Sequence, residues 1–271
     1  MGFTPSTLRR KPLGKTGEAI SAIALGTWGI RDEDRAFIAL VKGIELGLDT
    51  IDTAEMYGSG KVEELVGMVV KHVGRESVFL ITKMLPEHLR SKYEVLKFGR
   101  ASLKRLGVSE VDLYLIHWPH ALLSISEQIK NFEVLIDEGL TRYIGVSNFS
   151  ERELREAINS AKKSDIVLNQ VHYSVLNKEV EESLLPVARE YQVTVQAYTP
   201  LERGEVLKHP KLTAMSSKLG KPVVQIALNY LLHDPYVCAV VKTEDVGHLK
   251  EIAGTFEWAL SPDDIDALKR I

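Results

Sequence analysis

The sequence has few of the features that mark secreted, metal-clustered or membrane-inserted proteins. Cys238 is the one cysteine among 271 residues, which excludes an internal disulfide and a cysteine metal cluster. No apolar run reaches the roughly 20 residues that a membrane-spanning helix needs. No apolar segment follows the basic residues near the start, so we expect no secretory signal. These features favour a protein of the reducing cytoplasm, without a membrane partner.

An excess of one charge is also missing. Lys and Arg number 34 against 37 Asp and Glu, so the net charge is −3, and no nucleic-acid partner is expected. The six Asn and five Gln are few for this length, which hints at a thermophilic source. Apolar residues make up 45% of the chain, enough for a large core. The length suits an α/β barrel, which typically needs about 250 residues.

Short apolar segments alternate with helical patterns eight times along the chain. A hairpin is predicted first, from Leu8 to Leu13 and from Ala19 to Ile23. The predicted strands are 23–28, 48–51, 78–83, 111–117, 141–146, 167–169, 193–198 and 236–241. The predicted helices include 31–46, 62–73, 92–106, 126–138, 180–191, 245–252 and a last one begun by Ser261 and Pro262. No linker interrupts this alternation. We therefore expect one (β/α)8 barrel domain over residues 1–271, with an N-terminal β-hairpin.

Three consecutive predicted strands end in a residue that carries or exchanges a proton. Asp52, Lys83 and His117 stand at or just after these strand ends, and Tyr57 lies in the glycine-containing loop after the first of them. The carboxyl ends of parallel barrel strands converge at one mouth, so we expect these four residues to form a single site.

These four residue types suit proton transfer to an oxygen atom. A free phenol, with a pKa of about 10, is a poor acid at neutral pH. An ammonium group beside Tyr57 lowers this pKa, so Lys83 is expected to lower the pKa of Tyr57, while the carboxylate of Asp52 keeps Lys83 charged and in position. His117 adds a neutral partner for a carbonyl oxygen. The set contains neither a nucleophile nor an electrophile, so a cofactor must supply the rest of the chemistry.

Ordered motifs along nearly the whole chain resemble those of the aldo-keto reductase family. They are Leu25-Gly26-Thr-Trp, Asp49 to Asp52 with Tyr57-Gly-Ser-Gly, Lys83, Asp112 to Pro119, Gly145-Val-Ser-Asn148, Asn169-Gln170 and Tyr198-Thr-Pro-Leu201. Each motif alone is weak, but the ordered set is specific. The resemblance implies hydride transfer from a nicotinamide dinucleotide to an aldehyde or ketone.

The resemblance also implies a role for each site residue. Tyr57 would be the general acid, Lys83 and Asp52 its tuning pair, and His117 the residue that orients the carbonyl. The implied cofactor contacts are Gly26, Thr27, Trp28, Asp52, Ser147, Asn148, Gln170, Tyr198, Leu201, Arg203, Lys242, Thr243 and His248. Of these, Ser147, Asn148 and Gln170 would bind the nicotinamide carboxamide, and Tyr198 would stack on its ring. The implied substrate contacts are Trp28, Tyr57, His117 and Trp118.

The sequence departs from the family pattern in two places. Lys242 and Thr243 match the segment that binds the adenosine phosphate, but His248 and Ile252 replace its usual Arg and Asn. Without the guanidinium, bidentate recognition of a 2′-phosphate is lost. A helix start near Asp245 still suits a phosphate. NADPH is therefore expected as the preferred cofactor, with NADH possible. The short segment after Ser261 predicts an open mouth and a broad range of aldehydes and ketones.

Other interpretations of these residues remain open or are excluded. Asp52 and Lys83 alone would fit a structural ion pair, and Trp28 and Trp118 would fit core aromatics. The stretch Gly58-Ser-Gly-Lys61 lacks the flanking residues of a phosphate-binding loop. The histidines outside the site have no metal-ligand spacing, so no metal is expected, and no serine-hydrolase elbow is present.

A nucleotide-binding regulatory or sensing subunit with little turnover is the alternative function. The presence of all four candidate catalytic residues favours an enzyme. The expected partner is a small carbonyl substrate, whose identity the sequence leaves open. The oligomeric state is also open, with a monomer favoured.

Overall fold

Eight parallel strands form a closed barrel in the computed structural model, which describes residues 9–271. The barrel strands are β3 (Ile23–Gly26), β4 (Thr50–Asp52), β5 (Phe79–Met84), β6 (Val111–Ile116), β7 (Thr141–Ser147), β8 (Ile166–His172), β9 (Thr194–Tyr198) and β10 (Val237–Val241). Each pairs with the next in sequence order, and β10 closes the barrel on β3. The predicted fold is confirmed.

A two-stranded antiparallel hairpin precedes the barrel, as predicted. It consists of β1 (Arg10–Pro12) and β2 (Ala19–Ser21), while Leu8, where the predicted segment begins, lies outside the described residues. Its apolar residues Leu13 and Ile20 are fully buried and pack with the residues that fill the barrel interior. Buried Lys11 donates from Nζ to the backbone oxygens of Leu232 (2.6 Å) and Asp234 (2.8 Å). The hairpin therefore plugs the barrel at the end where β10 begins.

Helices surround the barrel. They are α1 (Glu33–Glu45), α2 (Lys61–Val73), α3 (Lys92–Leu106), α4 (Ile125–Phe132), α5 (Val134–Asp137), α6 (Glu151–Ser160), α7 (Glu179–Glu182), α8 (Leu184–Tyr191), α9 (Pro210–Leu219), α10 (Val223–Leu232), α11 (Val246–Ala253) and α12 (Pro262–Lys269). Side-chain caps fix many of their starts. Ser261, for example, accepts from the backbone nitrogen of Asp264 at 3.2 Å, as its sequence position predicts. No helix in the described part of the chain is long and apolar enough to cross a membrane.

Two predicted helices are each divided in the structure. The predicted helix over 180–191 is broken at Ser183 into α7 and α8. Pro186 explains this break, because it has no N–H for the carbonyl of Glu182 and its ring would clash with that carbonyl. The predicted helix over 126–138 is interrupted at Glu133, whose carboxylate instead accepts from the backbone nitrogens of Lys162 and Lys163, both at 2.6 Å.

Candidate active site

Asp52 and Lys83 meet at the carboxyl-terminal mouth of the barrel. In the parallel register, Asp52 lies beside Ile81 of β5, and Lys83 stands two residues further along that strand. Lys83 Nζ donates to Asp52 Oδ1 at 2.6 Å and to the backbone oxygen of Thr53 at 3.0 Å. Its third contact is the phenol oxygen of Tyr57, at 3.1 Å. The ammonium group is fully buried, and these three contacts match its three hydrogens.

A tight turn after β4 holds Tyr57 in this position. Residues Tyr57–Gly60 form a tight turn with a kink at Gly58 and Ser59, whose φ values are 56° and 55°, and the backbone nitrogen of Glu55 bonds to the oxygen of Lys83 at 3.3 Å. Gly60 has a φ of 91°, and a Cβ there would lie 2.6 Å from Cδ of Arg105. Arg105 is itself held by Glu63, at 2.7 Å. The positive φ and the nearby Arg105 side chain both favour glycine at position 60 of the motif Tyr57-Gly-Ser-Gly.

Opposing effects act on the pKa of Tyr57. Burial raises it above its ordinary value, and the nearby charge of Asp52 raises it further, while the charge and hydrogen bond of Lys83 lower it. The net shift of the pKa is upward, although the lowering by Lys83 that the sequence predicts is one of its contributions. The physical reason is that desolvation of the phenolate outweighs the attraction of one ammonium group. Burial also opposes the charge of Lys83, yet Asp52 and Tyr57 raise the pKa of Lys83 overall.

His117 faces Tyr57 from the end of β6. The two rings meet edge to face, with centroids 5.8 Å apart, and the Trp118 ring lies 4.7 Å from that of His117. Burial and the charge of Lys83 lower the pKa of His117 to about 3, so the ring is neutral at pH 7. Its Nδ1 is buried and has no hydrogen-bond partner within residues 9–271. The site thus places a neutral imidazole beside a protonated phenol.

Ser147, Asn148 and Gln170 form a connected set of hydrogen bonds beside Asp52. Gln170 Nε2 donates to Asp52 Oδ2 at 2.8 Å and to Gln196 Oε1 at 2.6 Å, so both of its amide hydrogens are used. Asn148 Nδ2 donates to the backbone oxygen of His117 and to Ser147 Oγ. The free capacity of these side chains is therefore mainly that of acceptors.

The ring of Tyr198 lies at the edge of this amide set. Its hydroxyl donates to Asn148 Oδ1 at 3.0 Å, and its ring stacks on His172 with centroids 5.6 Å apart. His172 in turn contacts Glu202 Oε1 at 2.8 Å. The sequence motifs do not predict Gln196 or His172 as part of the site. Their positions in the sequence could have indicated them: Gln196 lies two residues before Tyr198 on β9, and His172 lies two residues after Gln170 on β8.

The other end of the site is more acidic than the sequence motifs alone suggest. Lys242 pairs with Glu244, and Asp245 caps α11 by accepting from the backbone nitrogens of Gly247 (2.7 Å) and His248 (3.1 Å). The predicted phosphate site at this helix start is therefore already occupied in part by a carboxylate. Arg35 of α1 lies opposite, with its guanidinium 3.7 Å from Asp245 Oδ2.

One continuous cleft of about 1000 Å³ joins these groups. All of the predicted cofactor contacts line it, from Gly26 at the end of β3 to His248 on α11. The predicted substrate contacts Trp28, Tyr57, His117 and Trp118 line it too, while Lys83 lies beneath its wall. The guanidinium of Arg203 lies 5.3 Å from the centre of the Trp28 ring. The structure thus brings every predicted site residue to one cleft.

Comparison with known proteins agrees with this geometry. The profile of the Aldo/keto reductase family matches residues 22–271. The methylglyoxal reductase YeaE of Escherichia coli is 30% identical over 97% of this chain and 95% of its own. An NADH-specific methylglyoxal reductase of the same organism is 31% identical over 73% of this chain and 68% of its own.

Solved structures give the same result. The thermostable aldo-keto reductase Tm1743, in complex with the inhibitor epalrestat, is 37% identical and has a TM-score of 0.90 over 96% of this chain and 98% of its own. An aldo/keto reductase of Klebsiella pneumoniae in complex with NADP and acetate is 30% identical, with a TM-score of 0.88 over 97% of this chain and 95% of its own. The present chain therefore belongs to the aldo/keto reductase family.

Proposed function

We propose that this protein reduces aldehydes and ketones to alcohols with a nicotinamide cofactor, and that Tyr57 is the general acid. Membership of the family makes it an oxidoreductase of carbonyl compounds. The observation that carries the finer proposal is the contact of Lys83 Nζ with the phenol oxygen of Tyr57, at 3.1 Å, at the wall of the cleft. A protonated phenol with a buried ammonium behind it suits proton donation to an oxygen that gains negative charge.

The cleft fits a nicotinamide dinucleotide in shape and in chemistry. Its amide end offers acceptor oxygens on Gln170, Asn148 and Ser147, which suit the N–H groups of a carboxamide. Tyr198 adds an aromatic face, and Lys242 supplies a cation at the far end. Each of these residues would hold part of the cofactor. When bound, a reduced nicotinamide supplies the hydride.

The protein side of the reaction follows from the charges of the site. The raised pKa keeps Tyr57 protonated at neutral pH, so the phenol is ready to donate. Lys83 remains charged and stabilises the phenolate that proton donation leaves behind. Neutral His117 offers a hydrogen bond to the carbonyl oxygen and does not compete as an acid, since its pKa is about 3. Lys83 thus offsets part of the effect of burial, which on its own would make Tyr57 a weaker acid.

The expected cofactor is NADPH, with NADH as a second possibility. A solved relative holds NADP, and another relative is NADH-specific, so the family accommodates both. Lys242 lines the far end of the cleft and is the natural partner for a 2′-phosphate. The contacts of Lys242 with Glu244 predict that this preference is modest.

A screen of NADPH oxidation over aldehydes, ketones and sugars tests the proposed function. We expect turnover of aromatic and small activated aldehydes, each with a high KM, because Trp28 and Trp118 offer aromatic faces at the wall of the cleft. Small dicarbonyls such as methylglyoxal belong in the screen, since two relatives reduce that compound. One substrate with a far higher kcat/KM than all others would contradict the broad range. Nucleotide binding without any turnover would favour a regulatory or sensing subunit.

A further inference from the structure

Glu244 is a charged residue that lines the cleft beside Lys242. It follows Lys242 and Thr243 at the end of β10, and its carboxylate pairs with the ammonium group of Lys242. It also accepts from the backbone nitrogens of Arg31 at 3.1 Å and Asp32 at 3.2 Å, just before α1. Its side chain is only 13% exposed. These contacts hold a carboxylate between the β10 loop and the loop that follows β3.

This carboxylate is charged at neutral pH. Burial opposes its charge, but the hydrogen bond and charge of Lys242, together with the N–H groups of Arg31 and Asp32, lower the pKa of Glu244 overall. The carboxylate of Asp245 is the next one along the chain and lies against the start of α11. Lys242 is therefore paired with a charged carboxylate, so part of its own charge is already neutralised.

We propose that Glu244 is a specificity-determining residue that weakens the preference for NADPH over NADH. This inference rests on the proposed function. A 2′-phosphate must share Lys242 with Glu244 and meets a like charge, whereas a 2′-hydroxyl can donate to the same carboxylate. A carboxylate facing the ribose hydroxyls is the usual solution of sites that bind NADH, and a cation that of sites that bind NADPH. Repulsion of the competing ligand is a recognised source of specificity.

The variant Glu244→Gln tests this proposal by ligand binding, without turnover. Glutamine keeps an oxygen acceptor for the backbone of the β3 loop and removes the charge. We expect the Kd of NADPH, measured by quenching of tryptophan fluorescence, to fall about tenfold while the Kd of NADH stays unchanged or rises. Glu244→Ala should shift the ratio of the two constants in the same direction. Glu33→Gln is the matched control, because Glu33 is exposed and does not line the cleft.

Two outcomes overturn the proposal. An unchanged ratio of the two constants would remove Glu244 from cofactor selection. Equal losses for both nucleotides would show that Glu244 only ties the β3 loop to the β10 loop.

The wild-type protein and Lys242→Ala report on the proposed function separately. Lys242→Ala should weaken NADPH binding and leave NADH nearly unchanged, with exposed Lys250→Ala as its control. If that result holds and Glu244→Gln leaves the ratio of the two Kd values unchanged, the inference about Glu244 fails while the proposed function stands. A wild-type protein that binds neither nucleotide would contradict both.

Discussion

Tyr57→Phe is expected to lower kcat for aldehyde reduction by about 10²- to 10⁴-fold, the usual range for loss of a general acid. Phenylalanine keeps the ring against His117 and removes only the hydroxyl that lies 3.1 Å from Lys83 Nζ. The Kd of NADPH should hardly change, because the proposed cofactor contacts lie on other side chains of the cleft. The measurement is NADPH absorbance at saturating aldehyde, together with a fluorescence titration of the nucleotide.

Tyr93→Phe is the matched control for this variant. Tyr93 is 76% exposed and lies outside the cleft, so loss of its hydroxyl should leave kcat and the Kd of NADPH unchanged. Near-normal turnover of Tyr57→Phe would remove Tyr57 as the acid. A loss that appears only in nucleotide affinity would instead assign Tyr57 to binding.

Lys83→Met is expected to affect both catalysis and stability. Without the ammonium group, nothing offsets the burial and the charge of Asp52 that raise the pKa of Tyr57, so the phenolate formed after proton donation is less stable. kcat should fall by at least about 10²-fold. The buried carboxylate of Asp52 would keep Gln170 as a partner but lose its counter-charge. Removal of one partner of a buried ion pair typically costs about 3–5 kcal/mol of unfolding free energy.

A second variant separates these two effects. Asp52→Asn combined with Lys83→Met removes both buried charges, so much of the lost stability should return while kcat stays low. Thermal or urea unfolding and kcat should be measured on both variants. Recovery of turnover along with stability would show that Lys83 acts only by keeping the site folded. The variant Tyr57→Phe/Lys83→Met should cost little more in kcat than either single change, since the two residues act as a unit.

Asp52, Tyr57, Lys83 and His117 lie together as predicted, because the order of the parallel strands brings them to one end of the barrel. Asp52, Lys83 and His117 each stand at or just beyond a barrel strand, and parallel pairing in sequence order places those strand ends side by side. Patterns of this kind depend on local sequence and on strand order, and both can be read from the amino-acid sequence alone.

Features that depend on burial and on distant partners could not be predicted in the same way. The direction of the pKa shift of Tyr57 depends on how far the fold buries the phenol, which no local pattern reports. The role of Glu244 depends on backbone N–H groups more than 200 positions earlier in the chain. Gln196 occupies an ordinary strand position, and the register of β8 with β9 that places it beside Gln170 is not visible in the local sequence. The division of the helix near Pro186 is different, because the proline itself is a signal that the apolar periodicity around it obscures.

Label transfer from a deuterated cofactor tests the proposed reaction most directly. NADPH dideuterated at C4 of the dihydronicotinamide ring is mixed with the wild-type protein and an aromatic aldehyde, and the alcohol is analysed by mass spectrometry and NMR. We expect one deuterium on the carbinol carbon of each alcohol formed. The same experiment with Tyr57→Phe should yield the same label at a far lower rate. Alcohol without deuterium, or oxidation of the cofactor without alcohol, would contradict direct hydride transfer in this cleft.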